Sequence, residues 1–353
     1  MFYLQFLGAH CSAQELRDSL PCPMSILLGA VAEPMSEAMP KIFAVVITFN
    51  RKDLLQRCLE AVSRQTCRCD RIIVIDNGSS DGTADMLQQS WSGRVHTYVL
   101  SHNIGASGGY NAGFRIAYRE GADFIWAMDD DVIPAEDALE KLVEADSFLN
   151  SQAVHHPFVL STAWTESGAV TNVPKVDLRL VAQGYEAWPL YLPYKMLPVT
   201  RATFVSVLLP RSTIEKFGLP LAPMFIWGED TEYTLRITKK HPGFVVSDSK
   251  VLHVRAVVGS INILTETNKV RVEYHRHFVR NRLYTARMHH PRLEFLRLIL
   301  NDVRLMFRLV RNQELKKARI VFIGFMESLW FRPEVERADA AIDSLGVTVR
   351  TVP

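Results

Sequence analysis

The amino-acid sequence predicts an α/β protein with a mostly parallel sheet flanked by helices and a C-terminal helical region. Two observations predict this fold class. Short apolar runs alternate with segments of helical periodicity from residue 41 to residue 143, which is typical of parallel strands joined by crossover helices. Each apolar run also ends in a polar cluster, and ligands bind at this carboxyl edge in open α/β sheets.

Four apolar runs predict the parallel strands. They are Ile42–Phe49, Arg71–Ile75, Val95–Leu100 and Ala122–Met128. Helical spacing predicts helices over Leu54–Val62, over Ala84–Gln89, up to about Arg119, and over Ala135–Val143. We therefore expect one domain over residues 41–265, preceded by an extension over 1–40 and followed by a helical region over 266–353.

The extension has two open interpretations. Its apolar patch Met1–Leu7 lacks the basic flank of a signal peptide, and Met24–Val31 is short. Either translation begins at Met39 and the preceding segment is dispensable, or the segment is an accessory that packs on the main domain.

Composition fits a globular protein with a sizeable core. The chain has 353 residues, of which 48% are hydrophobic and 22% charged. The formal charge of +2 gives no argument for a nucleic-acid partner. The five cysteines are odd in number, and Cys67 and Cys69 lack metal-knuckle or redox-pair spacing, which indicates thiols of a reducing compartment. No apolar run reaches the length of about 18 residues that predicts a membrane-spanning helix.

The acidic triplet Asp129–Asp131 follows the fourth predicted strand and is the centre of the predicted site. Adjacent carboxylates repel one another unless a cation is present. Divalent cations such as Mg²⁺ and Mn²⁺ take oxygen ligands and bridge to phosphates. The triplet therefore indicates a metal site that holds a phosphorylated donor. The alternative is an acidic turn that caps the helix after Pro134.

A glycine-rich stretch follows the third strand, from Asn103 to Gly113. It lacks the spacing of a dinucleotide fingerprint. Its glycines permit close backbone approach to a ligand, but a tight turn and close helix packing are the favoured interpretation of Gly105 and Gly113.

The second half of the sequence is less periodic. Strands are predicted at Phe158–Ala163, Phe204–Leu209, Phe244–Val246 and Lys250–Val254, and a helix from about Tyr233 to Lys240. Residues 165–198 predict a loop-rich insertion whose aromatic side chains either stack on sugar faces or pack in the core. Residues 270–331 predict basic helices, which either meet a membrane surface or pack on the catalytic domain.

Taken together, the motifs resemble family 2 inverting glycosyltransferases of the GT-A (Rossmann-like) fold. The resemblance covers about residues 41–260 and depends on five motifs in the family's order. They are Val45–Arg51, Asp76–Ser79 with Gly82-Thr83, Asn103 with Gly108–Gly113, Asp129–Asp131 and Glu229-Asp230. Met128–Asp131, Phe225–Tyr233 and His253 are most similar to bacterial galactofuranosyltransferases, with rhamnosyltransferases as the close competitor. Gly228 departs from the Trp-Asp-Asp pattern of those enzymes.

The resemblance implies a site for metal-dependent sugar transfer. Asp129, Asp131 and His253 would hold Mn²⁺ or Mg²⁺, and Asp230 would be the general base, with Glu229 as the alternative. The implied donor-binding residues are Thr48, Asn50, Arg51, Asp76, Asn103, Gly109, Asn111 and Asp130. Trp227 is the candidate acceptor platform, and a buried packing role is its alternative.

The implied partners follow from this chemistry. The donor is a nucleotide sugar, with UDP-galactofuranose favoured and dTDP-rhamnose as the alternative. The acceptor is a growing cell-surface glycan or lipid-linked glycan. The implied location is the cytoplasm, either free or in peripheral contact with the inner face of the cytoplasmic membrane. The competing class is a non-catalytic glycan-binding or scaffold protein with the same fold.

Overall fold

Within residues 40–254 and 261–352, which the computed structural model describes, twelve strands form one sheet. The first four are β1 (Ile42–Thr48), β2 (Arg71–Asp76), β3 (His96–Leu100) and β4 (Phe124–Asp129). They are parallel and lie in the order β3–β2–β1–β4, so their carboxyl ends meet at one edge. This arrangement agrees with the predicted strands to within a residue or two.

Three crossover helices join these strands. They are α1 (Lys52–Ser63), α2 (Thr83–Ser90) and α3 (Gly105–Arg119). Every residue of β1 is buried, because alternate side chains enter the core on opposite faces of the sheet. Val46 packs on the face that contains Leu59 of α1, and Val45 packs on the face that contains Phe114 of α3.

The other half of the sheet is mostly antiparallel. Its strands are β5 (Val132–Pro134), β6 (Val159–Trp164), β7 (Val170–Thr171), β8 (Lys175–Val176), β9 (Met196–Arg201), β10 (Val207–Pro210) and β11 (Gly243–His253). The last strand, β12 (Val349–Val352), is at the opposite edge of the sheet. The order continues from β4 through β10, β6, β11 and β9 to β8, and β12 lies outside β3. The predicted α/β class with flanking helices is confirmed. The sheet as a whole is mixed, because the parallel arrangement is confined to its first half and the β6–β11 pair.

The short strand β5 positions the acidic triplet and was not predicted. It follows the triplet directly and pairs antiparallel with the end of β11, which places Val132 opposite His253. The two predicted strands at 244–246 and 250–254 are one strand, β11, with an irregularity between Val246 and Lys250. This pairing brings His253 to the triplet from more than a hundred residues along the chain.

The glycine-rich stretch is helical from Gly105 onward. A Cβ atom on Gly113 would lie 2.4 Å from Cγ1 of Val45, and one on Gly109 would lie 2.8 Å from Nδ2 of Asn77. The glycines therefore let α3 pack closely on the sheet, as the packing interpretation of Gly113 expected.

The remaining helices surround the second half of the sheet and build the C-terminal region. They are α4 (Ala138–Ser151), α5 (Arg211–Phe217), α6 (Glu229–Ile237), α7 (Lys269–His289), α8 (Arg292–Arg311) and α9 (Leu315–Trp330). The last three share an apolar cluster that includes Val279, Leu309 and Val321. The predicted C-terminal helical region is thus confirmed. The proposed domain boundary at 265 stays a prediction, and the hypotheses on residues 1–39 lie outside the described residues.

The chain returns to the sheet after α9. Glu336 forms an ion pair with the fully buried Arg115 of α3 at 2.7 Å, and β12 then pairs with β3. Across the ranges 40–254 and 261–352, no helix combines the length and apolar character that crossing a bilayer requires.

Candidate active site

Three potential metal ligands converge at the carboxyl edge of the sheet. One ligand atom each from Asp129, Asp131 and His253 lies within 4.8 Å of the others. Two carboxylates and an imidazole form a donor set suited to Mn²⁺ or Mg²⁺. Oδ1 of Asp131 is buried and accepts no hydrogen bond from the described residues, although it lies 3.2 Å from Nε2 of His253. A buried acceptor of this kind fits a metal ligand.

The imidazole of His253 is oriented by a side chain that sequence reasoning missed. Its Nδ1 lies 2.8 Å from Oδ1 of Asn172, in the turn after β7. Because a carbonyl oxygen only accepts, Nδ1 carries a proton, and in the neutral imidazole Nε2 then presents its lone pair on the side of Asp131. Such support of a ligating histidine fixes both its ring orientation and its tautomer. The donor set therefore fits a divalent metal.

Arg51 offsets the negative charge of the triplet. Its Nη1 lies 2.6 Å from Oδ2 of Asp131 and 3.2 Å from Oδ1 of Asp130. Burial by itself would raise the pKa of Asp131, but the contacts with His253 and Arg51 outweigh burial and lower this pKa. Asp131 is thus held as a carboxylate, the form that binds a cation.

Asp130 is turned away from the metal ligands. Its Oδ2 accepts a hydrogen bond from Oγ1 of Thr48 at 2.7 Å, and its Oδ1 faces Arg51. Burial raises the pKa of Asp130 to about 7 despite the opposing effect of Arg51. Asp130 holds together two side chains predicted to bind the donor, and its own donor contact stays a prediction.

Asp129 is bound by the glycine-rich helix. The hydroxyl of Tyr110 donates a hydrogen bond to Oδ1 of Asp129 at 2.7 Å. Burial raises the pKa of Asp129, and the neighbouring charge of Asp131 raises it further. Sequence reasoning missed Tyr110, although this residue lies inside the glycine-rich motif that the sequence analysis had recognised.

Two loops beyond β1 and β2 form a polar surface beside the triplet. Asp76 ends β2, and its Oδ1 accepts a hydrogen bond from the backbone N–H of Ser79 at 2.8 Å. Its buried Oδ2 has no hydrogen-bond partner among the described residues, which suits a ligand N–H. Asn50 joins the two loops, since its Oδ1 accepts a hydrogen bond from the N–H of Ser80 at 2.8 Å. This geometry agrees with the predicted nucleoside site.

Three predicted donor-binding residues have contacts within the protein, and for Asn103 and Gly109 the donor contact stays a prediction. Asn111 is fully buried, and its Nδ2 donates to the carbonyl of Pro220 at 2.7 Å and to Glu336 at 2.9 Å. Since its Oδ1 accepts from Arg115, every polar atom is engaged in packing, and the prediction for Asn111 is corrected. Gly109 lies against the sheet. Asn103 bonds the N–H of Gly105 at 2.7 Å at the start of α3.

The two candidate bases begin α6 in different environments. Glu229 is buried, and burial together with the charge of Asp230 raises its pKa well above the usual range. Asp230 is only partly buried, and its Oδ1 accepts a hydrogen bond from the N–H of Thr231 at 2.5 Å. Burial also raises the pKa of Asp230. Asp230 is thus the more exposed of the two carboxylates, and its role as general base stays a prediction.

Trp227 is partly buried in an aromatic cluster on α7. Its ring lies 5.1 Å from the imidazole of His275 and 6.0 Å from the ring of Tyr274. The guanidinium of Arg271 lies 5.1 Å from the ring centre. The packing alternative for Trp227 therefore has direct support, and its role as an acceptor platform stays a prediction.

Comparison with known proteins identifies the family. Residues 43–163, which include β1 to β4 and the acidic triplet, match the family model described as glycosyl transferase family 2. The chain carries a family 2 glycosyltransferase domain. This finding confirms the family predicted from the sequence motifs and its enzyme class.

Curated relatives agree with this family. Galactofuranosyltransferase GlfT1 of Mycobacterium tuberculosis is 29% identical over 224 residues, which cover 60% of this chain and 69% of the relative. The protein of the same name from Mycolicibacterium smegmatis is 26% identical over 199 residues, covering 56% of this chain and 65% of the relative. The chain thus aligns with about two thirds of the length of these relatives. Among solved structures, S. aureus TarS 1-349 matches with 13% identity and a TM-score of 0.47. The match covers 83% of this chain and 93% of that chain.

We predict that Asn172→Ala weakens binding of Mn²⁺ by about 10–100-fold, because the hydrogen-bond partner of a ligating histidine typically contributes that much. Titration calorimetry on the purified protein measures the affinity. Asn150→Ala is the control, since Asn150 bonds Asp146 on α4 and leaves His253 untouched. Equal Mn²⁺ affinity in the Asn172→Ala variant and the wild type would show that His253 needs no such support.

Proposed function

We propose that this protein is a metal-dependent inverting glycosyltransferase that moves galactofuranose from a nucleotide-diphosphate donor to a hydroxyl of a cell-surface glycan. The observation that carries the proposal is the grouping of Asp129, Asp131 and His253 at the sheet edge that also contains Asp76. The names of the relatives from two mycobacteria support galactofuranose as the donor sugar. A rhamnosyltransferase of the same family is the alternative.

Departure of the leaving group requires neutralisation of its growing negative charge. When bound, a divalent metal supplies this charge stabilisation at the diphosphate. Asp129, Asp131 and His253 would hold the metal, and Arg51 adds a fixed positive charge beside them. Asp76 and the loop of Asn50 would hold the nucleoside, since the free oxygen of Asp76 can accept a hydrogen bond from a base N–H.

Attack by the acceptor requires removal of its hydroxyl proton. Asp230 would accept this proton while the hydroxyl oxygen bonds to the anomeric carbon, on the face opposite the departing nucleoside diphosphate. The configuration at that carbon is thereby inverted. Burial and the charge of Asp230 raise the pKa of Glu229 well above its usual range, which favours its protonated form and makes it the less suitable base of the two.

The proposal is tested by a nucleotide-sugar screen. We expect UDP-galactofuranose to raise the melting temperature in the presence of Mn²⁺ or Mg²⁺ and not with a chelator. Asp131→Ala should lose this shift and metal-dependent donor turnover while its circular dichroism spectrum stays unchanged. A larger shift with dTDP-rhamnose would favour the alternative donor. The absence of any metal-dependent shift across nucleotide sugars would overturn the proposed function.

The identity of the base is tested by Asp230→Asn. The amide keeps the shape of the side chain but accepts no proton, so kcat should fall by about 10²–10⁴-fold. Metal-dependent donor binding should be unchanged. Because a base works only when deprotonated and burial raises the pKa of Asp230, the wild-type rate should rise with pH above the usual aspartate range, and Asp230→Asn should lose this rise. Glu229→Gln is the matched comparison, and a larger loss there would reverse the assignment.

We further propose that the outer face of α8 meets an anionic membrane surface, where a lipid-linked acceptor would lie. Its exposed apolar side chains lie on one face of the helix and include Phe307, which is 73% exposed. Basic side chains lie between them at helical spacing: Arg297, Arg304, Arg308 and Arg311. No ion pair involving these four arginines is found within residues 40–254 and 261–352. Basic amphipathic helices of this kind bind at the lipid interface.

We expect the protein to co-sediment with anionic liposomes at low salt and to dissociate as salt rises, because each basic residue near such a surface contributes about 1 kcal/mol. The double variant Arg304→Glu and Arg308→Glu should bind much less. Arg64→Glu with Arg68→Glu makes the same charge change near the end of α1 and should bind as the wild type does. No binding at low salt, or a dimer that buries α8 in sedimentation analysis, would refute the membrane contact.

A further inference from the structure

The segment directly ahead of Glu229 and Asp230 has an unusual backbone. Phe225 and Trp227 have φ angles of +67° and +62°, and Gly228 has φ of +124°. Residues other than glycine rarely adopt positive φ angles, and bulky aromatic residues are especially disfavoured there. We call residues 224–228 the base loop. It needs external contacts to hold this conformation.

Asn281 of α7 supplies the main contacts. It is fully buried, and its Nδ2 donates to the carbonyl oxygens of Met224, Ile226 and Trp227 at 2.8, 3.0 and 3.1 Å. An amide nitrogen has two hydrogens, so at least one is shared between two acceptors. One side chain therefore contacts three carbonyls of the base loop, including that of Trp227 with its positive φ.

The neighbouring arginine fixes the orientation of this amide. Nε of Arg280 donates to Oδ1 of Asn281 at 3.1 Å, so the Nδ2 group must point to the loop. Nη2 of Arg280 also donates to the carbonyl oxygens of Pro223 and Met224 at 2.8 and 3.1 Å. Two consecutive residues of α7 thus bind most of the carbonyl groups in this segment.

Helix α3 contacts the opposite side of the base loop. The carbonyl of Phe225 accepts a hydrogen bond from the N–H of Ser107 at 3.0 Å. A Cβ atom on Gly105 would lie 2.0 Å from the same oxygen, so only glycine permits this approach. On the α7 side, a Cβ atom on Gly228 would lie 3.2 Å from Cβ of Asn281. The base loop is therefore clamped between the helix that binds Asp129 and the first C-terminal helix.

We infer that Asn281 is a positioning residue for the general base, so that the C-terminal helical region completes the active site. The inference rests on the proposed function, in which Asp230 accepts the acceptor proton. Asp230 lies two residues after the end of the base loop, at the first turn of α6, whose direction the loop sets. Loss of the Asn281 contacts would let the loop relax and displace Asp230 without touching the metal ligands.

The test compares kcat, donor affinity and melting temperature in variants of the full chain. Asn281→Ala removes its hydrogen bonds to three carbonyls, of which only that of Met224 keeps the donor Arg280. We expect kcat of sugar transfer to fall by up to about 100-fold, as misplacement of a catalytic group does. The metal-dependent Kd for the nucleotide sugar should stay unchanged. If Asn281→Ala does not fold, Asn281→Ser retains one donor and should show a smaller fall in kcat with the same unchanged Kd.

Val279→Ala is the matched control. Val279 lies two residues earlier on α7, is buried in the apolar cluster of the C-terminal helices and bonds no carbonyl of the base loop. Val279→Ala should retain kcat even where its melting temperature equals that of Asn281→Ala. If both variants lose kcat in proportion to stability, or if Asn281→Ala retains kcat, the positioning role is overturned. If the wild type itself shows no metal-dependent donor binding, the proposed function fails, and the inference with it.

Discussion

The charge balance between Arg51 and the acidic triplet is the interaction on which the site depends. Three neighbouring carboxylates at a largely buried edge would repel one another, and isolated buried charges are costly. Arg51 lies three residues after the end of β1, and the triplet begins with the last residue of β4. These two strands are adjacent and parallel. The topology of the sheet thus brings the guanidinium to Asp130 and Asp131. Thr48, at the end of β1, belongs to the same group because its hydroxyl donates a hydrogen bond to Asp130.

The features that were predicted successfully depend on residue patterns within short stretches of sequence. The buried strands were recognised because both faces of the sheet are covered, so β1 reads as an unbroken apolar run. The acidic triplet and the polar ends of the strands follow from the same local pattern. The family was recognised from five motifs in order, and His253 was assigned from that resemblance alone. Its place beside Asp131 agrees with the assignment.

The features that were missed depend on contacts between distant segments. The strand β5 has three residues, too few for a periodic pattern, and it exists because β11 pairs with it. Asn172 lies far along the chain from His253, and Asn281 lies far from Asp230. No sequence pattern near either asparagine marks it. Asn111 was assigned to the donor because it lies in a motif, whereas its burial beside Arg115 depends on the return of the chain after α9.

The pairing of β12 with β3 has a consequence for how copies of this protein meet. An outermost strand exposes a row of unpaired N–H and C=O groups that can extend into a neighbouring molecule. In this protein the groups of β3 on that side are satisfied by residues 349–352. The edge strand is therefore β12, which has four residues and includes the charged, exposed Arg350. Short, charged border strands discourage intermolecular strand addition, so this part of the fold protects a largely apolar sheet against aggregation.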